Sequence, residues 1–127
     1  MLNSFLKMLA GGTKSDRDIK SIMPLVEKAK AEFEKLQTID NDGLRVLTSS
    51  FKKKISDTVQ AERDEIATIK ANIDAAIDMD IDEKEQLYNR IDLLEKEEYK
   101  KTQEALLEIL PQAFAVIKET ARRFQEN

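Results

Sequence analysis

Apolar residues recur along this chain at steps of three and four, the spacing that lines one face of an α-helix. Leu2, Phe5, Leu6 and Leu9 fall at i, i+3, i+4 and i+7 and predict a short amphipathic helix over 2–9. Gly11-Gly12 closes it, because glycine readily takes the left-handed conformation that ends a helix. A second helix is expected from about Ser15, where Ser15 and Asp18 resemble a capping box. Ile19, Ile22, Met23, Val26, Phe33 and Leu36 then hold helical spacing to about Gln37. Pro24 interrupts that run, so the pattern predicts a kink or a break near 20–24.

The segment Thr38-Ile39-Asp40-Asn41-Asp42-Gly43 is a polar break with several candidate N-caps. Beyond it, Leu44, Leu47, Phe51, Ile55 and Val59 begin a long stripe. It continues through Ile66, Ile69, Ile73 and Ile77 with coiled-coil-like spacing. Asp78-Met79-Asp80-Ile81-Asp82 reads as a turn, with Asp80 and Glu83, or Asp82 and Glu85, capping a returning helix. Leu87, Ile91 and Leu94 resume the stripe, which weakens at Glu98 and recovers at Ala105, Leu106 and Ile109. The pattern therefore predicts an antiparallel helical hairpin over 57–104, each arm about 30 Å long at 1.5 Å per residue. Pro111 suits the first position of a further helix. Ala113, Phe114, Val116, Ile117, Thr120, Ala121 and Phe124 make that helix apolar around much of its circumference, so it is expected to be the most buried element. With nothing after Asn127 to cover it, a fragment of a larger protein is expected.

Composition agrees with an all-α fold: three Gly, two Pro and 36% charged residues in 127 suit long solvated helices better than sheet. It also excludes chemistry. The chain has no Cys and no His, which removes disulfides, thiolate nucleophiles and the commonest general base and transition-metal ligand. No apolar run approaches the roughly 18 residues of a membrane span. Lys7 lies inside the first apolar stretch rather than before it, which argues against a signal peptide, and a cytoplasmic protein is expected.

The net charge of −4 is uneven. Residues 1–56 hold eleven Lys and Arg against seven Asp and Glu, whereas 57–98 hold five against fourteen. The basic clusters Lys52-Lys53-Lys54 and Arg122-Arg123 are small within an acidic chain, so no nucleic-acid partner is expected. Gly11-Gly12-Thr13-Lys14-Ser15 fails the phosphate-loop spacing, because Thr13 separates Gly12 from Lys14 and no strand precedes it. The acidic turn from Asp78 fails the calcium-loop pattern, with Glu83 where Gly is required and Asn89 where a bidentate Glu is required. No catalytic, cofactor-binding or metal-binding residue is assigned.

Two stretches carry a resemblance to a known family. Ser15-Asp16-Arg17-Asp18-Ile19-Lys20, followed by Asn41-Asp42-Gly43-Leu44-Arg45, Thr48 and Phe51-Lys52, is similar to the amino-terminal region of SecA, the ATP-driven motor of bacterial preprotein translocation. The more specific match is Leu110-Pro111-Gln112-Ala113-Phe114-Ala115-Val116-Ile117-Lys118-Glu119-Thr120-Ala121-Arg122-Arg123. It resembles that family's L-P-E-A-F-A-V-V-R-E-A-x-x-R segment, with Gln112 in place of the usual Glu. The resemblance covers 1–56 and 105–124, and 57–104 looks like a longer helical insertion between them.

The resemblance implies a large motor that binds ATP and Mg²⁺, the SecY channel complex, anionic phospholipid and unfolded preproteins, peripheral on the inner membrane. Its nucleotide-binding parts would follow this chain, so the implied cofactors lie outside it. The expected organisation is a single helical region: 1–14 amphipathic helix and linker, 15–56 helical segment, 57–104 inserted hairpin and 105–127 final helix. Its implied role is docking on the remainder of the motor and attachment to membrane and channel, with Leu2, Phe5, Leu6, Lys7 and Leu9 as candidate contacts. A free-standing coiled-coil adaptor is the alternative from a different class.

Overall fold

A computed structural model describes residues 12–126. They form three helices and no strand: α1 over Lys14–Leu36, α2 over Asn41–Ala75 and α3 over Ile81–Glu126. The fold is all-α. The predicted helix over 2–9 lies outside the described residues.

α1 starts just before the expected position. Thr13, not Ser15, is the N-cap: its Oγ1 accepts from the Asp16 backbone N–H at 3.2 Å. Asp16 completes the capping box by accepting from the Thr13 N–H at 2.8 Å. Gly12, at φ +91°, turns the chain immediately before this cap, in a conformation that side chains rarely adopt. Of the kink or break expected near Pro24, the break is absent: α1 runs through it to Leu36. Proline in a helix interior costs about 3 kcal/mol, and twelve further helical residues follow Pro24 to hold the element together.

At the α1–α2 turn, the Ile39 N–H donates to the Leu36 carbonyl at 3.1 Å. Asp40 caps α2 by accepting from the Gly43 N–H at 2.7 Å. Gly43 is needed here for space, since a Cβ at that position would lie 2.2 Å from Ile39 Cγ2.

The chain divides into two compact units. Among the described residues, one comprises 12–44 and 110–126; the other is Arg45–Ile109. The second is an antiparallel pairing of α2 and α3 across the turn at 76–80. Its core is Ile66, Ile69, Ile73, Ile91 and Leu94, with Met79 and Leu87 packed against it. The predicted stripe thus holds to Ile73, but Ile77 falls past the end of α2 and is 95% exposed. Ion pairs also cross the hairpin: Lys54–Glu108 at 2.7 Å, Arg90–Glu65 at 2.8 Å and Lys70–Glu95 at 3.8 Å flank the seam, and Arg63 reaches Glu98 at 2.6 Å. Such pairs at the edge of an apolar seam favour one pairing of helices over others.

α3 corrects the expectation of a separate last helix. It passes unbroken through Pro111, which is buried inside it. Nor is its final stretch the most buried part of the chain. Ala115 and Glu119 face inward, whereas Phe114, Ile117 and Phe124 are exposed.

Candidate docking surface

The first unit is organised around a buried carboxylate. Glu119 is wholly inaccessible, yet its oxygens accept from two neighbouring guanidinium groups. Arg122 donates through Nε at 2.9 Å and Nη2 at 2.7 Å, and Arg123 donates through Nε at 2.7 Å. The Arg122 hydrogen bonds, with those from Arg123, hold the Glu119 carboxyl down at about 2 against burial that pushes it up. Arg123 also reaches the preceding turn. It donates to Asn41 Oδ1 at 2.7 Å, to the Leu36 carbonyl at 3.3 Å and to the Ile39 carbonyl. Those carbonyls belong to the C-terminal end of α1 and the turn after it, where helical partners run out. One arginine therefore ties the α1–α2 turn to α3. Lys118, one residue from Glu119, stands 4.2 Å over the Phe33 ring of α1.

These contacts fix which face of each helix turns outward. On α1 the inward positions are Leu25, Ala29, Glu32, Phe33 and Leu36. The sequence-predicted stripe Ile19, Ile22, Met23 and Val26 consequently lies on the surface, 38–51% exposed. An apolar groove of about 570 Å³ opens there between α1 and α3. Ile22, Leu25, Val26 and Ala29 form one wall and Leu110, Pro111 and Phe114 the other, with Lys30 and Lys118 also lining it. Helical periodicity identifies these positions as apolar but does not tell which apolar residues face inward. The inward direction depends on the Glu119–Arg123 contacts, which no spacing rule exposes. Uncovered apolar surface of this kind is a candidate interaction site.

Other sequence candidates resolve differently. Lys53 pairs with Asp57 and Lys54 with Glu108, so those cations are matched by carboxylates within the second unit. Arg122 is likewise matched by Glu119 and Glu126. Asp16, whose carboxyl is lowered by the Thr13 hydrogen bonds, caps α1. Among the described residues, no group of three or more His, Cys, Asp or Glu could hold a metal ion, and no helix is long and apolar enough to cross a membrane. Leu2, Phe5, Leu6, Lys7 and Leu9 lie outside the described residues.

The protein translocase subunit SecA of Porphyromonas gingivalis is 42% identical over 125 residues, 98% of this chain and 11% of that protein. The SecA of Amoebophilus asiaticus is 43% identical over 127 residues, covering all of this chain and 11% of the relative. That of Cytophaga hutchinsonii is 45% identical over 116 residues, 91% of this chain and 10% of the relative. The chain belongs to the SecA family. The similarity extends across 57–104, so these SecA relatives carry the hairpin region as well. The chain spans about a tenth of the length of the curated SecA proteins it matches. No family model matches it, and no solved structure matches it.

Proposed function

We propose that this chain serves as the amino-terminal helical portion of a SecA-type motor that drives preproteins through the SecY channel with ATP and Mg²⁺. The observation that carries this reading is the combination of SecA similarity over 98% of the chain with an uncovered apolar groove, one wall of which comes from the 110–123 segment whose sequence resembles SecA. Leu110, Pro111, Phe114 and Lys118 line that groove, while Glu119 and Arg123 orient the helix that bears them. In this reading the first unit docks on the remainder of the motor through Ile22, Val26 and Phe114. Nucleotide is bound by the remainder, and no residue of this chain is given a catalytic role. The segment with Leu2, Phe5, Leu6, Lys7 and Leu9 attaches the assembly to anionic phospholipid, peripherally on the cytoplasmic side of the inner membrane.

The test is complementation in two pieces. Residues 1–127 and the remainder of the same SecA polypeptide, produced separately, should co-elute and restore ATP-driven translocation into inverted membrane vesicles. Ile22→Asp with Phe114→Asp should abolish co-elution while leaving the circular dichroism of residues 1–127 unchanged. Pieces that never associate, or a variant pair that associates normally, would overturn the docking role. Reading the coding frame beyond residue 127 addresses the adaptor alternative. A phosphate-loop sequence within the next hundred or so residues, about one domain, supports the motor.

A further inference from the structure

The hairpin of the second unit has an interruption in its seam. On α2 the inward positions step through Val59, Glu62, Ile66, Ile69 and Ile73, and on α3 through Ile91, Leu94, Glu98, Lys101 and Ala105. Three of these ten are charged, and they fall together. Glu62 is only 6% exposed. Its Oε1 accepts from Lys101 Nζ, but Oε2 is buried and has no protein partner. Glu98 is half-buried and turned to Arg63 at 2.6 Å. The contiguous apolar cluster of the hairpin lies wholly on the turn side of this layer. On the other side Val59, Ala105 and Ile109 are buried but lie outside that cluster.

Charged side chains at inward positions bury less apolar surface than isoleucine or leucine would, and they regain solvation whenever water reaches them. Transient opening at this height therefore relieves a penalty that opening elsewhere along the seam does not. On the turn side the same fluctuation would separate isoleucine from leucine and isoleucine, with no compensating gain. Lys101, half-exposed, can follow Glu62 into solvent without breaking their bond.

We infer that Glu62, Glu98 and Lys101 form a yielding layer, at which the hairpin opens locally while the turn-side block stays closed and moves as one piece. Cooperative openings of this limited kind follow the distribution of buried apolar contact within a fold.

Native-state hydrogen exchange on the whole 127-residue chain tests this. Amides of 66–75 and 87–94 should exchange at least about tenfold more slowly than those of 53–62 and 98–105, with the boundary at the charged layer. Glu62→Leu with Lys101→Leu should close the layer and bring the two sets within about threefold. A second variant does not depend on repacking the layer. Leu94→Ala should speed exchange on the turn side at least tenfold and leave the other side within threefold. Uniform exchange through both blocks in the unmodified chain would overturn the inference. So would a boundary that persists in the Glu62→Leu, Lys101→Leu chain, or equal acceleration of both blocks by Leu94→Ala.

Discussion

Arg123 is a single residue that satisfies three different elements of the first unit: the buried Glu119 carboxylate, the side chain of Asn41 and the carbonyls of Leu36 and Ile39. Removing it takes a donor from the Ile39 carbonyl in the turn, leaves the Leu36 carbonyl only the Ile39 N–H, and weakens the pairing of an inaccessible carboxylate. Hydrogen bonds to charged groups contribute about 1.5–3 kcal/mol each, and these share one side chain. Arg123→Ala should therefore destabilise the first unit by about 2–4 kcal/mol, read as a lowered urea midpoint. Arg123→Lys should recover only part of this, because an ammonium cannot reproduce the planar fork. The same cluster sets a pH dependence. Glu119 titrates at about 2 in the folded protein against an ordinary value of 4.5, so the unfolded chain binds the proton more readily. Its stabilisation is fully present above about pH 4.5 and is lost as pH falls towards 2. Glu62 and Glu108, lowered by hydrogen bonds from Lys101 and Lys54, push stability in the same direction. A series of urea midpoints from pH 6 to pH 2 should fall, and Glu119→Gln should flatten the acid end while starting lower at pH 6.

The helices themselves were legible wherever apolar spacing and packing agree. Leu44, Val59, Ile66, Ile69, Ile73, Ile91, Leu94, Ala105 and Ile109 all lie on the predicted stripe and are all buried. The misreadings arise where a local rule was outweighed. Pro111 disfavours a helix interior, yet α3 has enough length on both sides to absorb one missing hydrogen bond, and the same length carries α1 through Pro24 without a break. The seven-residue gap between Val59 and Ile66 was the sequence sign of the charged layer at Glu62, since a seam should have an apolar residue near its midpoint. On α1 the spacing was right but left the facing open: Phe33 and Leu36 of that stripe turn inward while Ile19, Ile22, Met23 and Val26 lie on the surface, and only tertiary contacts choose. Pro24 offers a clean test of continuity. It is exposed and lies inside α1, so Pro24→Ala restores an N–H donor for the Lys20 carbonyl without removing packing. The change should raise stability by about 1–3 kcal/mol, visible as a higher thermal midpoint of the helical signal. A lower midpoint would mean that Pro24 is needed where it stands.

At the scale of the molecule, the proposed attachment to membrane turns on how an apolar stripe outside the described residues is used. Leu2, Phe5, Leu6 and Leu9 share the spacing of one helical face, with Lys7 between them in sequence. Lys14, Arg17 and Lys20 follow on the exposed surface of α1. Burying four such side chains in a headgroup region yields about 1.5–3 kcal/mol apiece before the cost of ordering the segment, which removes much of it. What is left predicts weak, reversible binding that needs anionic lipid and falls with salt, because the surrounding charges are screened over about 8–10 Å. The competing use of the stripe is intramolecular, for α1 exposes apolar surface of its own at Ile19, Ile22, Met23 and Val26. The two uses separate in one experiment. Residues 1–127 should co-sediment with phosphatidylglycerol vesicles and not with phosphatidylcholine vesicles, and 0.5 M salt should release most of the bound protein. Phe5→Asp with Leu9→Asp should abolish sedimentation while leaving the urea midpoint within about 0.5 kcal/mol, the range of surface substitutions. If that pair lowers stability by about 2 kcal/mol or more, the loss a buried apolar side chain brings, the stripe packs on the protein and the membrane reading fails.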